Sequence, residues 1–347
     1  MSQQVVRRGF VTAADVARRA RVSRSAVSRT FTPGASVSAE VRQRVLQVAE
    51  HLGYRVNRLA SSLNQARSNL IGLVGTDLQQ PFHASLLATM SAALLADGFQ
   101  CMLLNAANAE RDVGAVIARV LEYRVAAIVV MTGTPPARIV EECLSNGVPV
   151  ILVNKLLPNL AVDTVIADHA AGGRMAAEQL LAAGCRRLAV VSSAARTASL
   201  IGRIDAFCAG AGAAHATVKV WAEREATDYE TGREAARALL AKQRIDGVFC
   251  VTDLLALGFL DAARFEHGRR VPDDLSLIGF DDIAQAAWDA YRLTTFRQPV
   301  GNLAAAVMKA IRRRMKDPVA THDLETVPIE LVVRSTVRGF AEKDLAA

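Results

Sequence analysis

The sequence predicts a small all-α head built on a helix-turn-helix, followed by an α/β core of two doubly wound parallel-sheet subdomains. Three observations predict it. Residues 12–31 have the spacing of two short helices around a tight turn. Positive charge is gathered before residue 69, and beyond it apolar strands alternate with helices.

A chain of 347 residues exceeds one ordinary core and implies two or three domains. With 51% hydrophobic and 22% charged residues it reads as a soluble globular protein. The longest apolar runs, 126–131 and 148–153, fall far short of a membrane span, and the start lacks the apolar stretch of a secretory signal. Five scattered cysteines, Cys101, Cys143, Cys185, Cys208 and Cys250, fit reduced thiols in a cytoplasm better than disulfides or zinc.

The head comes first. Thr12 caps helix one with Asp15 answering three residues on, and Val16, Ala17 and Ala20 share one face. Ser23 caps helix two, which turns Val27 and Phe31 inward and leaves Arg24, Ser25, Ser28 and Arg29 outward. A braced helix with that polar, basic face suits a DNA major groove. Thr32, Pro33 and Gly34 then turn the chain into a third helix, 39–52, which Gly53 terminates. Residues 57–63 have length for barely two helical turns, and 65–68 read as a connector.

Charge supports this division. Residues 1–68 hold twelve arginines, no lysine and three acids (Asp15, Glu40, Glu50), a surplus of nine positive charges. The whole chain carries +7, so the remainder carries −2. Such asymmetry points to an anionic partner at the N-terminal end. No lipidation motif or membrane-type basic helix accompanies it, which makes nucleic acid the partner.

In the core, strands are expected at 70–74, 99–104, 126–131, 148–153, 188–192, 218–221, 247–251, 275–280 and 329–333. Helices are expected at 82–96, 111–123, 136–146, 168–183, 200–211, 230–241, 253–266 and 303–314. Ligands of open α/β sheets sit outside the carboxyl ends of the strands. That points to Thr76-Asp77, Thr132, Asn154, Thr252-Asp253 and Asp281-Asp282, facing one another across a cleft.

The motifs together resemble the lactose-repressor (LacI/GalR) family of bacterial transcription regulators. They are DVA in helix one, VSRSAVSR in helix two, VSAEVRQRVLQVAEHLGY in helix three, N-x-x-A-x-x-L at 57–63, IGLV at 71–74, GFDD at 279–282 and LTTFRQP at 293–299. The resemblance implies a DNA-binding domain at 1–56, a hinge helix and linker at 57–68, and a periplasmic-binding-protein-like core at 69–340 that dimerises and binds an effector. Its N-subdomain would span about 69–167 and 299–328, its C-subdomain about 168–298 and 329–340. By the same resemblance Arg24 and Ser25 read base edges and Arg29 adds a basic contact, with Thr12, Ser23 and Ser28 completing the helix-turn-helix set. Asn57 and Ala60 fall at hinge positions, and Leu63 matches a leucine wedged into the minor groove.

For the effector, Arg203 matches an arginine gripping ligand oxygens, Asp281 an acid accepting from ligand hydroxyls, and Tyr229 an aromatic stacking on a sugar face. Asn154, Thr252, Asp77 and Phe82 line the same cleft. The effector class is a sugar, a sugar acid or a similar small polar metabolite, and Lys155 beside Asn154 either favours the acid or is a solvated charge. Departures from the family pattern are Arg21 at a turn position usually held by glycine, Ala26 for threonine, Val56 for proline, Ser61 for arginine and Thr252 for asparagine.

The resemblance implies a DNA-binding homodimer, tetramerisation left open, without membrane association and without a metal or other cofactor. Enzymatic motifs are missing: there is no GxSxG, HExxH, P-loop or GxGxxG after the first strand. His51, His83, His169, His215, His267 and His322 lack metal-ligand spacing and read as surface or capping residues. A solute-binding protein and a nucleotide-binding Rossmann enzyme are the alternatives, and both leave the arginine-rich head unexplained.

Overall fold

The computed structural model describes residues 10–32, 34–56, 68–106, 109–131, 134–157, 160, 162–318 and 320–339. The chain divides into two units, Met1–Ser68 and Asn69–Ala347.

In the first unit, α1 (Ala13–Ala20), α2 (Arg24–Phe31) and α3 (Ala39–Leu52) enclose a core of Val16, Ala17, Ala20, Val27, Val45 and Ala49. The Thr12–Asp15 capping box forms: the Asp15 amide donates to Thr12 Oγ1 at 3.3 Å and Asp15 Oδ2 accepts from the Thr12 amide at 3.1 Å. Ser23 Oγ caps α2 by accepting from the Ala26 amide at 3.1 Å. The α1–α2 turn closes through Arg21 in the left-handed region, φ 54° and ψ 47°. Arg42 of α3 donates to the carbonyls of Thr30 (2.8 Å) and Ala35 (3.1 Å), holding the chain where it leaves α2. Phe31 and Tyr54 meet with ring centroids 5.6 Å apart and cover the end of this small core.

The second unit contains two six-stranded sheets. One has the order β11-β5-β4-β3-β1-β2, from β1 (Leu70–Gly75), β2 (Gln100–Asn105), β3 (Ala127–Val130), β4 (Val150–Val153), β5 (Asp163–Ala167) and β11 (Leu324–Val327). The other has the order β12-β10-β9-β8-β6-β7, from β6 (Arg187–Val191), β7 (Thr217–Trp221), β8 (Gly247–Cys250), β9 (Ser276–Asp281), β10 (Thr295–Arg297) and β12 (Glu330–Val332). All pairings are parallel except β10 with β12. Helices cover the sheets, so strands such as β3, β4 and β8 are buried along their whole length, as apolar parallel strands require.

The chain passes between the two lobes three times: after β5, after β10, and between β11 and β12. The Asp168 amide donates to the Val327 carbonyl at 2.9 Å, tying two of these passages together. Helix Val300–Lys316 returns to the first lobe, where Leu303, Val307 and Ile311 pack against Ile71, Leu86 and Val153.

Three strands escape the sequence reading. β5 and β11 are four or five residues long and only partly apolar, and β10 is a three-residue strand inside the LTTFRQP motif. The helix expected over 253–266 ends as an α-helix at Asp261 and continues as a π-helical turn, Ala262–Glu266.

Candidate nucleic-acid interface and ligand cleft

On the head, Val27 and Thr30 turn α2 inward, while Ser23, Arg24, Ser25, Ser28 and Arg29 are exposed together with Thr12. Ser23 and Ser25 share a hydroxyl hydrogen bond of 2.8 Å, and Arg29 Nε donates back to the Ser25 carbonyl at 3.4 Å. Arg24 takes part in no ion pair among the described residues, whereas Arg18 pairs with Asp15 and Arg44 with Glu40. Asn57, Ala60 and Leu63 lie outside the described residues.

In the core, a cavity of about 290 Å³ opens at the carboxyl ends of both sheets. Asp77 follows β1, Asn154 and Lys155 follow β4, Ser193 follows β6, Thr252 caps the helix after β8, and Asp281 ends β9; all line it. Phe82 lines it too, from the first turn of helix Pro81–Ala96, and packs against the apolar cores of both lobes. Asp77, Asn154, Asp281 and the neighbouring Asp282 all hold positive φ, at 51°, 54°, 126° and 55°. Such strain costs of order 1–3 kcal/mol per residue and concentrates where a fold aims side chains at a ligand.

Five cleft side chains form a closed polar circuit. Arg203 Nε donates to His169 Nδ1 at 3.3 Å; since arginine only donates, that nitrogen accepts and the ring proton sits on Nε2. His169 Nε2 therefore donates to Asn154 Oδ1 at 3.2 Å, which also accepts from the Ala167 amide at 2.8 Å. That fixes the Asn154 amide, whose Nδ2 donates to Gln298 Oε1 at 3.1 Å. Gln298 Nε2 in turn donates to Asp281 Oδ1 at 2.7 Å, and Asp281 closes the ring on Arg203 at 3.8 Å. Asn154 stands on the first lobe, Arg203, His169 and Asp281 on the second, and Gln298 on a passage between them.

Arg203 is 4% exposed and lies 3.5 Å above the Phe280 ring, with Nη1 also donating to the Val251 carbonyl. Helix Ala198–Ala213 brings it there because Gly173 lets helix His169–Ala182 approach closely; a β-carbon at 173 would overlap the Arg203 carbonyl. Burial pulls the guanidinium down to about 10, opposed by Asp281 and Asp253, and leaves it charged at neutral pH. Burial, with Arg203 and Lys155 nearby, lowers His169 well below the usual histidine value and keeps the ring neutral. His83, which also lines the cavity, is lowered chiefly by burial. Burial raises the carboxyls of both Asp253 and Asp281. Asp253 is fully buried and braces the site, accepting from the Ile283 amide at 2.9 Å and from Thr295 Oγ1 at 2.5 Å.

Two expectations are corrected. Tyr229 is not part of the cavity wall: its hydroxyl donates to Asp261 Oδ2 at 2.6 Å, an acceptor shared with Tyr291 at 3.1 Å. Its place at the start of helix Tyr229–Leu240 turns the ring toward the following helix. His169 is neither a surface nor a capping histidine; it is 4% exposed at the centre of the circuit. Sequence reasoning also missed Gln298, His83 and Ser193 as cleft residues. Gln298 lies inside a quoted motif, and its neighbour Arg297 ends β10, which is the one signal available for it.

A second cavity, about 490 Å³, adjoins the first through Phe82, Asp281 and Gln298 and extends past Asp282 and Arg297. Among the described residues no group of three or more His, Cys, Asp or Glu side chains is arranged to hold a metal, and no helix is long and apolar enough to cross a membrane.

A family model described as bacterial regulatory proteins, lacI family, matches residues 12–57, and one described as a periplasmic binding protein-like domain matches residues 177–337. The HTH-type transcriptional regulator DegA of Bacillus subtilis is 29% identical over 324 residues, covering 92% of this chain and 96% of that protein. A ribose operon repressor of Halalkalibacterium halodurans is 29% identical over 340 residues, covering 95% and 98%. Among solved structures, the lac repressor dimer bound to operator and the anti-inducer ONPF superposes with a TM-score of 0.85 at 22% identity, covering 94% of this chain and 99% of that one. A complex of the regulator CelR with cellobiose superposes with a TM-score of 0.68 at 25% identity, covering 94% and 99%.

Proposed function

The chain belongs to the lacI family of bacterial regulatory proteins, and on that premise we propose how its residues divide the work of a ligand-responsive, DNA-binding transcriptional repressor. A cytoplasmic homodimer sets two heads on a near-palindromic operator, with half-site spacing fixed by the helical repeat. Arg24 and Ser25 read base edges, the arginine bidentately on a guanine and the serine with wider tolerance. Arg29, Thr12, Ser23 and Ser28 add backbone and flanking contacts. Asn57, Ala60 and Leu63 act at the operator centre, Leu63 as a minor-groove wedge.

The effector, a small sugar-like metabolite, occupies the core cavity between Asp77, Phe82, Asn154, Thr252, Arg203 and Asp281. The Asn154–Gln298–Asp281 link makes lobe placement sensitive to what lies in the cavity. A ligand that binds one placement more tightly shifts the population toward it, and with it operator affinity. The observation that carries this reading is the union in one chain of an exposed Arg24-Ser25-Arg29 helix face with a two-lobed core whose cleft is lined by strained polar strand ends. Names among the relatives and solved structures, a ribose operon repressor and a cellobiose complex, support the sugar class.

Fluorescence anisotropy on the DNA upstream of the chain's own gene, across 50–300 mM salt, tests it. Tight, sequence-selective binding that falls steeply with salt is expected, because arginine–phosphate contacts release counterions. Binding that is weak and blind to sequence would sink the operator assignment.

A further inference from the structure

Every charged group of the polar circuit has its counterpart within the protein. Arg203 is satisfied by His169, Val251 and Asp281, and Asp281 by Gln298 and Arg203. Lys155, which stands beside the circuit and not in it, has none. It follows Asn154 at the end of β4, lines the same cavity, is half-buried, and makes no hydrogen bond or ion pair among the described residues. The cavity's other acids are engaged elsewhere: Asp77 Oδ2 accepts from Thr76 Oγ1 at 3.3 Å and its charge acts on His83, while Glu225 is solvent-exposed. Burial alone acts on the Lys155 ammonium, lowering its pKa, and no carboxylate offsets it.

An unneutralised cation withdrawn from water is unfavourable unless a partner arrives to pair with it. We propose that the partner is the ligand itself: the effector is a sugar acid whose carboxylate pairs with Lys155, which makes Lys155 the residue that selects acids over neutral sugars. A single unpaired positive charge matches one carboxylate better than a phosphate dianion. The rest of the wall is hydroxyl-rich, with Thr76, Ser193, Thr197, Ser199 and Thr252 around the cavity, and suits a polyhydroxy chain. At about 290 Å³ the cavity sits at the small end of small-molecule pockets, which suits a five- or six-carbon acid. Lys155 belongs to the first lobe and Arg203 to the second, and both charges act on His83 and His169, so a ligand anchored on Lys155 lies against both walls.

The inference rests on the reading of this cavity as the effector site. The full chain is titrated calorimetrically, with melting curves in parallel, against three matched pairs: D-gluconate and D-glucose, D-galacturonate and D-galactose, D-ribonate and D-ribose. At least one acid is expected to bind and raise the melting temperature while its neutral counterpart binds at least tenfold more weakly. Lys155→Met should weaken that acid by about thirtyfold or more, the loss typical of removing one partner of a buried charge pair. Lys155→Arg should restore most of it, and without ligand Lys155→Met should melt at or above wild type and Lys155→Arg near it. A neutral sugar binding as tightly as its acid, an affinity unchanged in Lys155→Met, or no acid binding at all would each overturn the proposal. Operator binding by the same preparation is read independently, so the repressor assignment stands or falls apart from it.

Discussion

Asn154 Nδ2 donates to Gln298 Oε1 across 3.1 Å, a buried side-chain bond between residues 144 positions apart that joins a strand end of one lobe to a passage between the lobes. Gln298 then donates to Asp281 on the other lobe at 2.7 Å. Gln298→Leu keeps the shape and removes both bonds, leaving the buried Asn154 amide donor unpaired and Asp281 Oδ1 with only its 3.8 Å contact to Arg203. Leaving a buried group unsatisfied costs about 1–3 kcal/mol, so urea unfolding of the full chain should show the core destabilised by roughly 2 kcal/mol. Gln298→Glu retains an acceptor for Asn154 and opposes Asp281, so its deficit should deepen as pH rises. A Gln298→Leu core as stable as wild type would mean that the circuit contributes nothing to the fold.

Asp253 sets a pH dependence whose sign follows from burial. Its carboxyl, like that of Asp281, is raised above the ordinary aspartate range by burial, so the folded state holds a proton that the unfolded chain releases near pH 4. Where the folded state binds more protons, stability falls as pH increases. The loss therefore begins above the unfolded value and continues through the raised one. His169 and His83 act oppositely, since their lowered values make stability rise with pH until the unfolded value near 6.5 is passed. Asp253→Asn separates the two effects: its amide can accept from Ile283 and donate to Thr295. The variant should gain on wild type between pH 5 and about 7 in urea midpoints and level off above that. Parallel curves would refute the assignment.

Legibility in the sequence followed the range of the interactions involved. The head was readable because Thr12, Ser23 and Gly53 act within four residues of themselves, and caps and apolar spacing are local signals. Asp77, Asn154, Thr252 and Asp281 were readable as cleft residues because a parallel strand announces its own carboxyl end. His169 was not: it is one histidine at the start of an alanine- and glycine-rich helix, and its partners Asn154 and Arg203 lie 15 and 34 positions away. Gln298 depends on a passage between lobes that no local pattern marks. Tyr229 shows the reverse failure, an aromatic at a family position whose hydroxyl this fold spends on Asp261. β5 stayed hidden because it opens on Asp163, a buried acid held by Arg314 at 2.5 Å.

Arg21 is the head's local conflict between sequence and backbone. It holds φ 54° and ψ 47°, the left-handed region that costs a side chain with a β-carbon about 1 kcal/mol. The turn requires that conformation, because the Arg21 amide donates to the Arg18 carbonyl (3.4 Å) and the Val22 amide to the Ala17 carbonyl (3.0 Å), which closes the end of α1. The residue is exposed and its side chain makes no contact that a substitution would remove from the core. Arg21→Gly should therefore stabilise the head by up to about 1 kcal/mol, less what glycine returns to the unfolded chain. Arg21→Asn, which tolerates the same φ, should recover part of the gain, and Arg21→Val should lose stability. Hydrogen exchange by mass spectrometry on the full chain reads this out as slower exchange across α1 and α2 in the glycine variant and faster exchange in the valine variant. A glycine variant that exchanges as fast as the valine one would show that the α1–α2 turn carries no strain at Arg21.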